Sequence, residues 1–272
     1  MDQRMDASME RNPVTAGVRT PGLADALPWL RHARRILVFT GAGVSTESGI
    51  PDFRGPNGVW KTTDPQRYTI QSYVSDRAVR VERWQARLEG RFSSAEPNQA
   101  HVAVTRLQRA GLAPVVVTQN IDGLHQKAGT VNVIELHGTT TEATCLDCSR
   151  RMPIDAVLDR VREGDEDPHC ELCGGLLKTA TISFGQPLVP GDVDRALEEA
   201  RLCDVCLAVG STLSVWPAAG VPVEAVRHGG RLVIINEGVT DLDGMASLIL
   251  SGRAGAVMTE LAAGILGAEE SR

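Results

Sequence analysis

Short runs of apolar and β-branched residues recur along the chain, and segments with helical periodicity separate many of them. Several runs are almost continuously apolar, which is typical of strands that are buried on both faces of a sheet. Strands of this kind that alternate with helices predict an α/β fold built on a doubly wound parallel sheet. The predicted strands are residues 34–40, 113–118, 131–136, 179–184, 203–209, 231–236 and 247–250.

Small and polar residues follow five of these predicted strands. Ligands bind beyond the carboxyl ends of the strands in doubly wound sheets, so the residues at those ends indicate the chemistry of a site. Hydroxyl, amide and backbone N–H groups suit phosphate, ribose and amide groups, and we therefore expect a nucleotide site at this edge. The five segments are Thr40-Gly41-Ala42-Gly43, Thr118-Gln119-Asn120-Ile121-Asp122, Glu135-Leu136-His137-Gly138, Gly210-Ser211-Thr212 and Asn236-Glu237-Gly238.

The segment GAGVSTESGIPDFRG, residues 41–55, begins where the first predicted strand ends. Two of its glycines let the backbone approach a pyrophosphate, and N–H groups that open the next helix face the negative charge. The usual dinucleotide pattern is incomplete, because Thr46 replaces its third glycine and no acidic residue follows about twenty positions later. A tight turn without a ligand is therefore an alternative at this point. A ribose partner could instead come from a later strand, through Asn236 or Glu237.

The six cysteines form three Cys-x-x-Cys pairs, namely Cys145 and Cys148, Cys170 and Cys173, and Cys203 and Cys206. The first two pairs are separated by 21 residues, a spacing typical of a structural zinc site with four thiolate ligands. His169 is a less favoured substitute for one thiolate. Four thiolates fill the coordination shell, so the metal is expected to hold the fold together and not to act on a substrate. The third pair lies in a predicted strand and is interpreted as core packing.

Composition narrows the class of partner and the location. The chain has 272 residues and a formal net charge of -6, which gives no general attraction to nucleic acid or to a membrane surface. Residues 1–20 are polar and lack the apolar core of a signal peptide, and they are predicted to form a flexible tail. No apolar run reaches the roughly 18 residues of a membrane span. We therefore expect a cytoplasmic protein.

Several motifs together carry a resemblance to a known family. They are GAGVSTESGIPDFRG, TQNIDGLHQKAG, ELHG, the two cysteine pairs, GST and INEG, in that order. The chain resembles the sirtuins, NAD-dependent protein-lysine deacylases, over about residues 21–265. The resemblance implies a Rossmann-like catalytic domain over 21–272, with a helical insertion at about 60–95 and a zinc module at about 139–180. It also implies that NAD is consumed as a co-substrate and that zinc is structural.

The same resemblance implies roles for individual residues. His137 matches the catalytic base, which takes a proton from the nicotinamide ribose, and Asn120 also belongs to the catalytic centre. An imidazole suits proton transfer because its unperturbed pKa lies near neutral pH. The implied cofactor contacts are Gly41, Ala42, Gly43 and Thr46 for the pyrophosphate; Asp52, Phe53 and Arg54 in a mobile loop; Gln119, Asn120, Ile121 and Asp122 for the ribose and nicotinamide; and Gly210, Ser211, Thr212, Asn236, Glu237 and Gly238 for the adenosine half. His101 and His125 also match family positions and are interpreted as structural.

The implied activity is removal of acetyl or other acyl groups from protein lysine, with release of nicotinamide and O-acyl-ADP-ribose. The substrate would be an acyl-lysine protein or peptide that pairs with residues 183–188, with Phe184 and Gly185 at the groove. Acetyl or apolar acyl groups are expected first, since Arg87 in Trp84-x-x-Arg87 is interpreted as a surface residue; removal of succinyl groups stays open. The alternatives are a protein ADP-ribosyltransferase and a catalytically silent NAD-binding module. The acidic charge argues against a zinc-ribbon nucleic-acid binder.

Overall fold

The structure is a computed structural model that describes residues 22–55, 58–90 and 94–267. The predicted tail at residues 1–20 lies outside these ranges. The strands are β1 (Ile36–Thr40), β2 (Val116–Thr118), β3 (Val133–Glu135), β4 (Gly138–Cys145), β5 (Arg151–Pro153), β6 (Leu177–Thr181), β7 (Val205–Val209), β8 (Arg231–Asn236) and β9 (Leu248–Ser251). The helices are α1 (Leu23–Leu30), α2 (Ile70–Ser75), α3 (Arg77–Leu88), α4 (Gln99–Arg109), α5 (Leu124–Lys127), α6 (Ile154–Arg162), α7 (Pro190–Leu202), α8 (Gly220–Arg227) and α9 (Ala254–Leu266).

The larger sheet has six strands in the order β3-β2-β1-β7-β8-β9, and all its pairs are parallel. The chain runs outward from β1 to β2 and β3 on one side, and from β7 to β8 and β9 on the other. The order therefore reverses between β1 and β7, which are paired from Ile36 with Val205 to Thr40 with Val209. A crevice for a ligand opens at the carboxyl ends of the strands at such a switch point.

Alternate residues of the central strands supply two hydrophobic layers, one on each face of the sheet. Ile36 and Val38 pack with residues of α1, α4 and α9, whereas Leu37 and Phe39 pack with residues of α7 and α8. Every residue of β1 and β7 is buried, which explains why their sequences are almost continuously apolar. The predicted doubly wound parallel fold is confirmed.

A second sheet is antiparallel and has the order β5-β4-β6. The run predicted as a strand at 179–184 belongs to this sheet, as β6, and not to the parallel one. The sequence analysis did not predict β4 and β5. The sequence of β4, GTTTEATC, is mostly threonine and other non-aliphatic residues, because the strand is only partly buried and so lacks an apolar run.

Helices α2 and α3 form a layer against the second sheet. Trp84 of α3 is fully buried in a cluster with Ala143 of β4, Leu177 of β6 and residues of α6. The Tyr73 hydroxyl donates a hydrogen bond to the Leu177 carbonyl at 2.7 Å. The Arg80 guanidinium pairs with the Asp167 carboxylate at 2.8 Å, and both side chains are nearly buried. Packing thus joins the segment before α4 to the segment between β4 and β6, although the exact domain boundaries stay predictions.

Within the described ranges, none of the helices combines the length and the apolar character needed to cross a bilayer.

Candidate active site

Two chain segments cross closely at the switch point. The Gly43 N–H donates to the Gly210 carbonyl at 2.8 Å, and the Gly41 N–H donates to the Val209 carbonyl at 3.0 Å. A Cβ atom on Gly43 would lie 2.8 Å from the Gly210 Cα, and one on Gly41 would lie 2.8 Å from the Ser211 Cβ. Neither separation leaves room for a side chain. The glycines are therefore required for the crossing itself, and residues Ala42–Ser48 continue from it as a 3₁₀ helix.

A hydrogen-bonded network lies beside this crossing at the ends of β1 and β2. Asn120 is buried, and its side-chain amide donates to the Gly41 carbonyl at 3.1 Å and to the Ser45 hydroxyl at 3.0 Å. Ser45 in turn donates to the Asp122 carboxylate at 2.7 Å. Gln119 donates from its side chain to the Ser211 hydroxyl at 2.9 Å. The network brings predicted residues of three strand ends into one hydrogen-bonded cluster.

His137 lies between β3 and β4, and its ring is partly buried. Its Nδ1 atom is 2.8 Å from the Gln119 carbonyl. A carbonyl can only accept, so Nδ1 carries the hydrogen and Nε2 keeps a free lone pair. Burial lowers the pKa of His137, while the hydrogen bond to the Gln119 carbonyl opposes that shift. The ring is therefore neutral near pH 7, in the tautomer that can accept a proton at Nε2.

The remaining predicted contacts lie around the same edge of the sheet. Asp52 accepts a hydrogen bond from the Gly55 N–H at 2.8 Å, and Phe53 and Arg54 are exposed. Asn236 donates from its side chain to the Gly238 carbonyl at 2.9 Å, while Glu237 is exposed. The Thr212 hydroxyl lies 2.8 Å from that of Ser214. These residues are distributed along the crevice on either side of the glycine crossing.

Four cysteines come together at the far end of β4. The Sγ atoms of Cys145, Cys148, Cys170 and Cys173 all lie within 4.8 Å of one another. The Cys145 to Cys173 separation is 3.5 Å and the Cys148 to Cys170 separation is 3.7 Å. Tetrahedral coordination at about 2.3 Å places sulfur atoms about 3.8 Å apart, so the four thiols fit a zinc ion.

The other candidate metal ligands from the sequence, His169 and the third cysteine pair, lie outside the sulfur cluster. His169 is exposed, and its Nδ1 atom lies 2.8 Å from the Gly174 carbonyl; it is not a member of the sulfur cluster. Cys203 and Cys206 are buried in the packing around β7, and burial raises the pKa of both thiols. They remain protonated core side chains near neutral pH, as interpreted from the sequence.

One interpretation from the sequence was wrong. Arg87 is not a surface residue but half-buried, and burial together with the neighbouring Arg83 lowers its pKa to about 10. Lys178 of β6 is also buried, and burial followed by Arg83 and Arg87 lowers its pKa to about 8. The side of α3 that carries Trp84-x-x-Arg87 therefore contributes basic groups to the layer between α3 and β6.

Sequence reasoning also missed a set of buried polar residues behind the network. Thr40 and Thr118 were grouped with the residues expected to contact a nucleotide, and Ser45 was quoted only as part of a motif; none was predicted to bond to another member of the site. Each is almost completely buried and hydrogen-bonded to another member of the site. The signal was available in the sequence, because a hydroxyl residue at the end of an otherwise apolar strand requires a buried partner.

The fold and this site define a dinucleotide-binding protein with a separate structural metal site. The model of the Sir2 family matches residues 41–217. The NAD-dependent protein deacetylase of Caldivirga maquilingensis is 46% identical over 225 residues, which cover 81% of this chain and 85% of that protein. The NAD-dependent protein deacetylase 2 of Streptomyces coelicolor is 43% identical over 235 residues, covering 85% and 97%. The chain belongs to the Sir2 family.

Solved structures agree with this assignment. One reported under "Structural Basis for the Mechanism and Regulation of Sir2 Enzymes" has a TM-score of 0.82 at 36% identity and covers 90% of this chain and 97% of its own. A histidine-to-alanine Sir2 variant with a deacetylated p53 peptide and 3'-O-acetyl ADP ribose has a TM-score of 0.80 at 35% identity, covering 90% and 98%. The family predicted from the motifs is confirmed.

Proposed function

We propose that this chain removes acetyl groups from lysine side chains of proteins and consumes NAD in doing so. NAD is the co-substrate, and the products are the free lysine, nicotinamide and O-acetyl-ADP-ribose. The observation that carries the proposal is His137. It is a neutral imidazole held by its Nδ1–H, with a free Nε2 at the edge of the sheet where the glycine crossing and the Asn120 network also lie.

The rest of the crevice is assigned to the parts of NAD. The backbone at the crossing of Gly41 and Gly43 is assigned to the pyrophosphate. The N–H groups of Gly41, Gly43 and Val44 already donate to carbonyls of this chain, so they are not assigned to the phosphate, contrary to the sequence-based expectation. Asn120 and Asp122 hold the nicotinamide ribose and the carboxamide. The segments around Ser211 and Asn236 hold the adenosine half. Support for these assignments comes from their common location at the carboxyl ends of neighbouring strands.

His137 then has a specific chemical task. Displacement of nicotinamide by the acyl oxygen of the substrate lysine leaves the ribose hydroxyls as the groups that must lose a proton. Nε2 of His137 accepts that proton, and the charge that develops on the ring is stabilised by the Gln119 carbonyl at Nδ1. Because burial lowers its pKa, the ring is unprotonated at Nε2 at neutral pH and can accept a proton there.

Zinc held by the four thiolates would cross-link two loops and would take no part in this chemistry.

The peptide is proposed to bind along residues 183–188. Ile70 donates its N–H to the Phe184 carbonyl at 2.9 Å, and Phe184 donates its own to the Tyr68 carbonyl at 3.0 Å. One edge of this segment is therefore already paired with Tyr68 and Ile70, around the start of α2. Addition of a peptide strand at another edge would read backbone more than sequence.

A second acyl preference is supported by one observation, the half-buried position of Arg87 near Arg83 and Lys178. Grouped basic side chains near α3 would favour an acyl chain that ends in a carboxylate, such as succinyl. Acetyl stays first, because the relatives compared above are named deacetylases. A comparison of acetyl- and succinyl-lysine peptides of one sequence decides between them.

The test is mass spectrometry of NAD and peptide products. Wild type, His137→Ala and the control His228→Ala are incubated with NAD and acetyl-, butyryl- and succinyl-lysine peptides. His228 is exposed at the opposite end of the sheet, before β8, so its variant should behave as wild type. Loss of general base catalysis should lower the rate of His137→Ala by about 10²-fold or more. Protein-bound ADP-ribose would support the transferase alternative, and NAD binding without turnover would support the silent module.

A further inference from the structure

Two buried histidines have no role in the proposed reaction. His101 of α4 is 0% exposed and His125 of α5 is 1% exposed. Their ring centroids are 4.9 Å apart, with an interplanar angle of 62°. Each ring has one nitrogen atom, His101 Nε2 and His125 Nδ1, that finds no hydrogen-bond partner among the described residues. Completely buried polar atoms in this state call for an explanation.

The hydrogen bonds determine the tautomer of the His125 ring. Thr40 donates its only hydroxyl hydrogen to the Thr118 hydroxyl at 2.8 Å, so at its other contact, 3.0 Å from His125 Nε2, it must accept. His125 therefore carries its hydrogen on Nε2. The unpaired Nδ1 atom of His125 is thus an acceptor. The His101 Nδ1 atom lies 3.3 Å from the Asn98 backbone nitrogen, a donor, and 3.1 Å from the Asn98 side-chain oxygen, an acceptor, so both contacts tie this ring to Asn98 but they select no single tautomer for it.

One end of the pair is connected to Asn120. His125 donates to Thr40, Thr40 donates to Thr118, and the Thr118 hydroxyl accepts the Asn120 backbone N–H at 3.0 Å. Thr40 and Thr118 end the two neighbouring strands β1 and β2. The orientation of the Asn120 peptide, and with it the direction of its side chain, is therefore fixed by a chain of directed hydrogen bonds that begins at His125.

The other end of the pair is connected to the glycine loop. Asn98, which binds the His101 ring, donates from its side chain to the Val44 carbonyl at 2.8 Å and to the Ser48 hydroxyl at 2.9 Å. The 3₁₀ helix that contains these residues also contains Ser45. Asp122 acts on the same ring, because its charge opposes the lowering of the His101 pKa by burial. The pair thus lies between the two elements that meet at Asn120, Ser45 and Asp122.

We propose that His101 and His125 are positioning residues for the nicotinamide pocket, and that they hold Asn120, Ser45 and Asp122 in the geometry that receives the carboxamide. This inference rests on the proposed function, because it takes these three residues as the nicotinamide site. Neither histidine touches the substrate. Their action is to fix, through Thr40 and Asn98, the relative positions of the β2 end and the glycine loop.

Both rings are neutral in the folded protein near pH 7. Burial lowers the pKa of His101 to about 4 and that of His125 to about 3, and for His125 the neighbouring His101 adds to the effect. The neutral His125 ring holds its single hydrogen on Nε2, the atom from which it donates to Thr40.

The test compares nicotinamide handling with binding of the rest of the cofactor. In His125→Leu the donor to Thr40 is lost, whereas in His125→Gln an amide N–H can replace Nε2–H. We expect His125→Leu to slow the exchange of labelled nicotinamide into NAD by about tenfold and to weaken inhibition by nicotinamide by a similar factor. The Kd of ADP-ribose should stay within about twofold, because that ligand lacks nicotinamide. His125→Gln should recover most of the exchange.

Two further variants keep the result interpretable. Thr40→Val interrupts the chain at its next link with a side chain of the same shape, so it should repeat the pattern of His125→Leu even if the latter does not fold. Thr105→Val is the matched control, because it removes a buried hydroxyl one turn further along α4 that bonds the His101 carbonyl and Thr130. It should leave the ratio of exchange to ADP-ribose binding unchanged.

Several outcomes would overturn the proposal. A loss of ADP-ribose affinity equal to the loss of exchange would indicate a merely structural pair, as would an equal effect of Thr105→Val. Unchanged exchange in His125→Leu and Thr40→Val would refute it directly. If wild type exchanges no nicotinamide, the proposed function fails instead. The positioning role is then judged by the Kd of NAD, which His125→Leu should raise while leaving that of ADP-ribose unchanged.

Discussion

Mild acid should destabilise this protein through its two buried histidines. In the folded state the pKa of His101 is lowered to about 4 and that of His125 to about 3, chiefly by burial. In the unfolded chain both return to about 6.5. Below pH 6.5 the unfolded state therefore binds protons that the folded state does not, and the free energy of unfolding falls as the pH falls. Above pH 7 both rings are neutral in the folded and in the unfolded state, so they do not make the free energy of unfolding depend on pH.

The magnitude follows from the same shifts. At pH 5 the ordinary pKa lies about 1.5 units above the pH, and each unit is worth about 1.4 kcal/mol, which gives about 2 kcal/mol per histidine. The pair should therefore cost about 4 kcal/mol between pH 7.5 and pH 5. Below about pH 4, His101 begins to take up its proton in the folded state too, and its contribution stops growing.

Urea denaturation followed by tryptophan fluorescence at pH 7.5, 6.5, 5.5 and 5.0 measures this loss. Protonation of the zinc thiolates also destabilises the protein in acid, so the informative quantity is the difference between wild type and His125→Gln. The variant lacks one of the two titrating groups and should lose about 2 kcal/mol less than wild type over this range. Equal losses in the two proteins would refute the reasoning, since they would place the acid sensitivity elsewhere.

Four further outcomes are expected. Gly43→Ala, whose Cβ would lie 2.8 Å from the Gly210 Cα, should weaken binding of NAD at least tenfold in calorimetry; wild-type affinity would contradict the close crossing. Because burial lowers the pKa of His137, kcat/KM for deacetylation should fall only at a pH below the ordinary histidine pKa of about 6.5. A decline that begins above pH 7 would contradict this. Trp84→Ala should lower the free energy of unfolding by about 3–5 kcal/mol in urea denaturation, against less than 1 kcal/mol for a change at exposed Arg77. Removal of zinc by a chelator should expose Trp84, seen as a red shift of its emission, and a metal content below one zinc per chain in the untreated protein would contradict the four-thiolate site.

The sequence predicted the parallel sheet well because its strands are buried on both faces. Residues such as Leu37 and Phe39 have no exposed neighbours on their strand, so hydrophobicity alone located β1. The second sheet was missed for the opposite reason. Its strand β4, GTTTEATC, has no regular alternation of buried and exposed positions and no apolar run, and half of its residues are threonine, so its sequence carries no strand pattern. Periodicity finds a strand only where burial selects apolar residues.

In the site, too, the sequence pattern predicts which residues lie near each other but not which atoms they contact. The residues after the strands were expected to lie together, because parallel strands bring their carboxyl ends to one edge, and they do share that edge; their roles in a site stay predictions. Their partners could not be inferred. The bond from the His137 ring to the Gln119 carbonyl depends on how closely the end of β3 approaches that of β2. The burial of Arg87 likewise depends on the packing of α3 against β6, which no local pattern encodes.

The second sheet connects the zinc site to His137 through continuous backbone. Strand β4 begins at Gly138, directly after His137, and ends at the zinc ligand Cys145, so about 25 Å of extended chain joins them. Strand β6 returns antiparallel, and the Ile182 N–H that follows it donates to the His137 carbonyl at 2.8 Å. At Gly138, with φ of 74°, a Cβ would lie 2.1 Å from the Ala180 carbonyl oxygen, so only glycine permits this close pairing. Zinc fixes one end of the two strands, and their other end holds the backbone of His137; loss of the metal should therefore affect catalysis without any direct contact with the substrate.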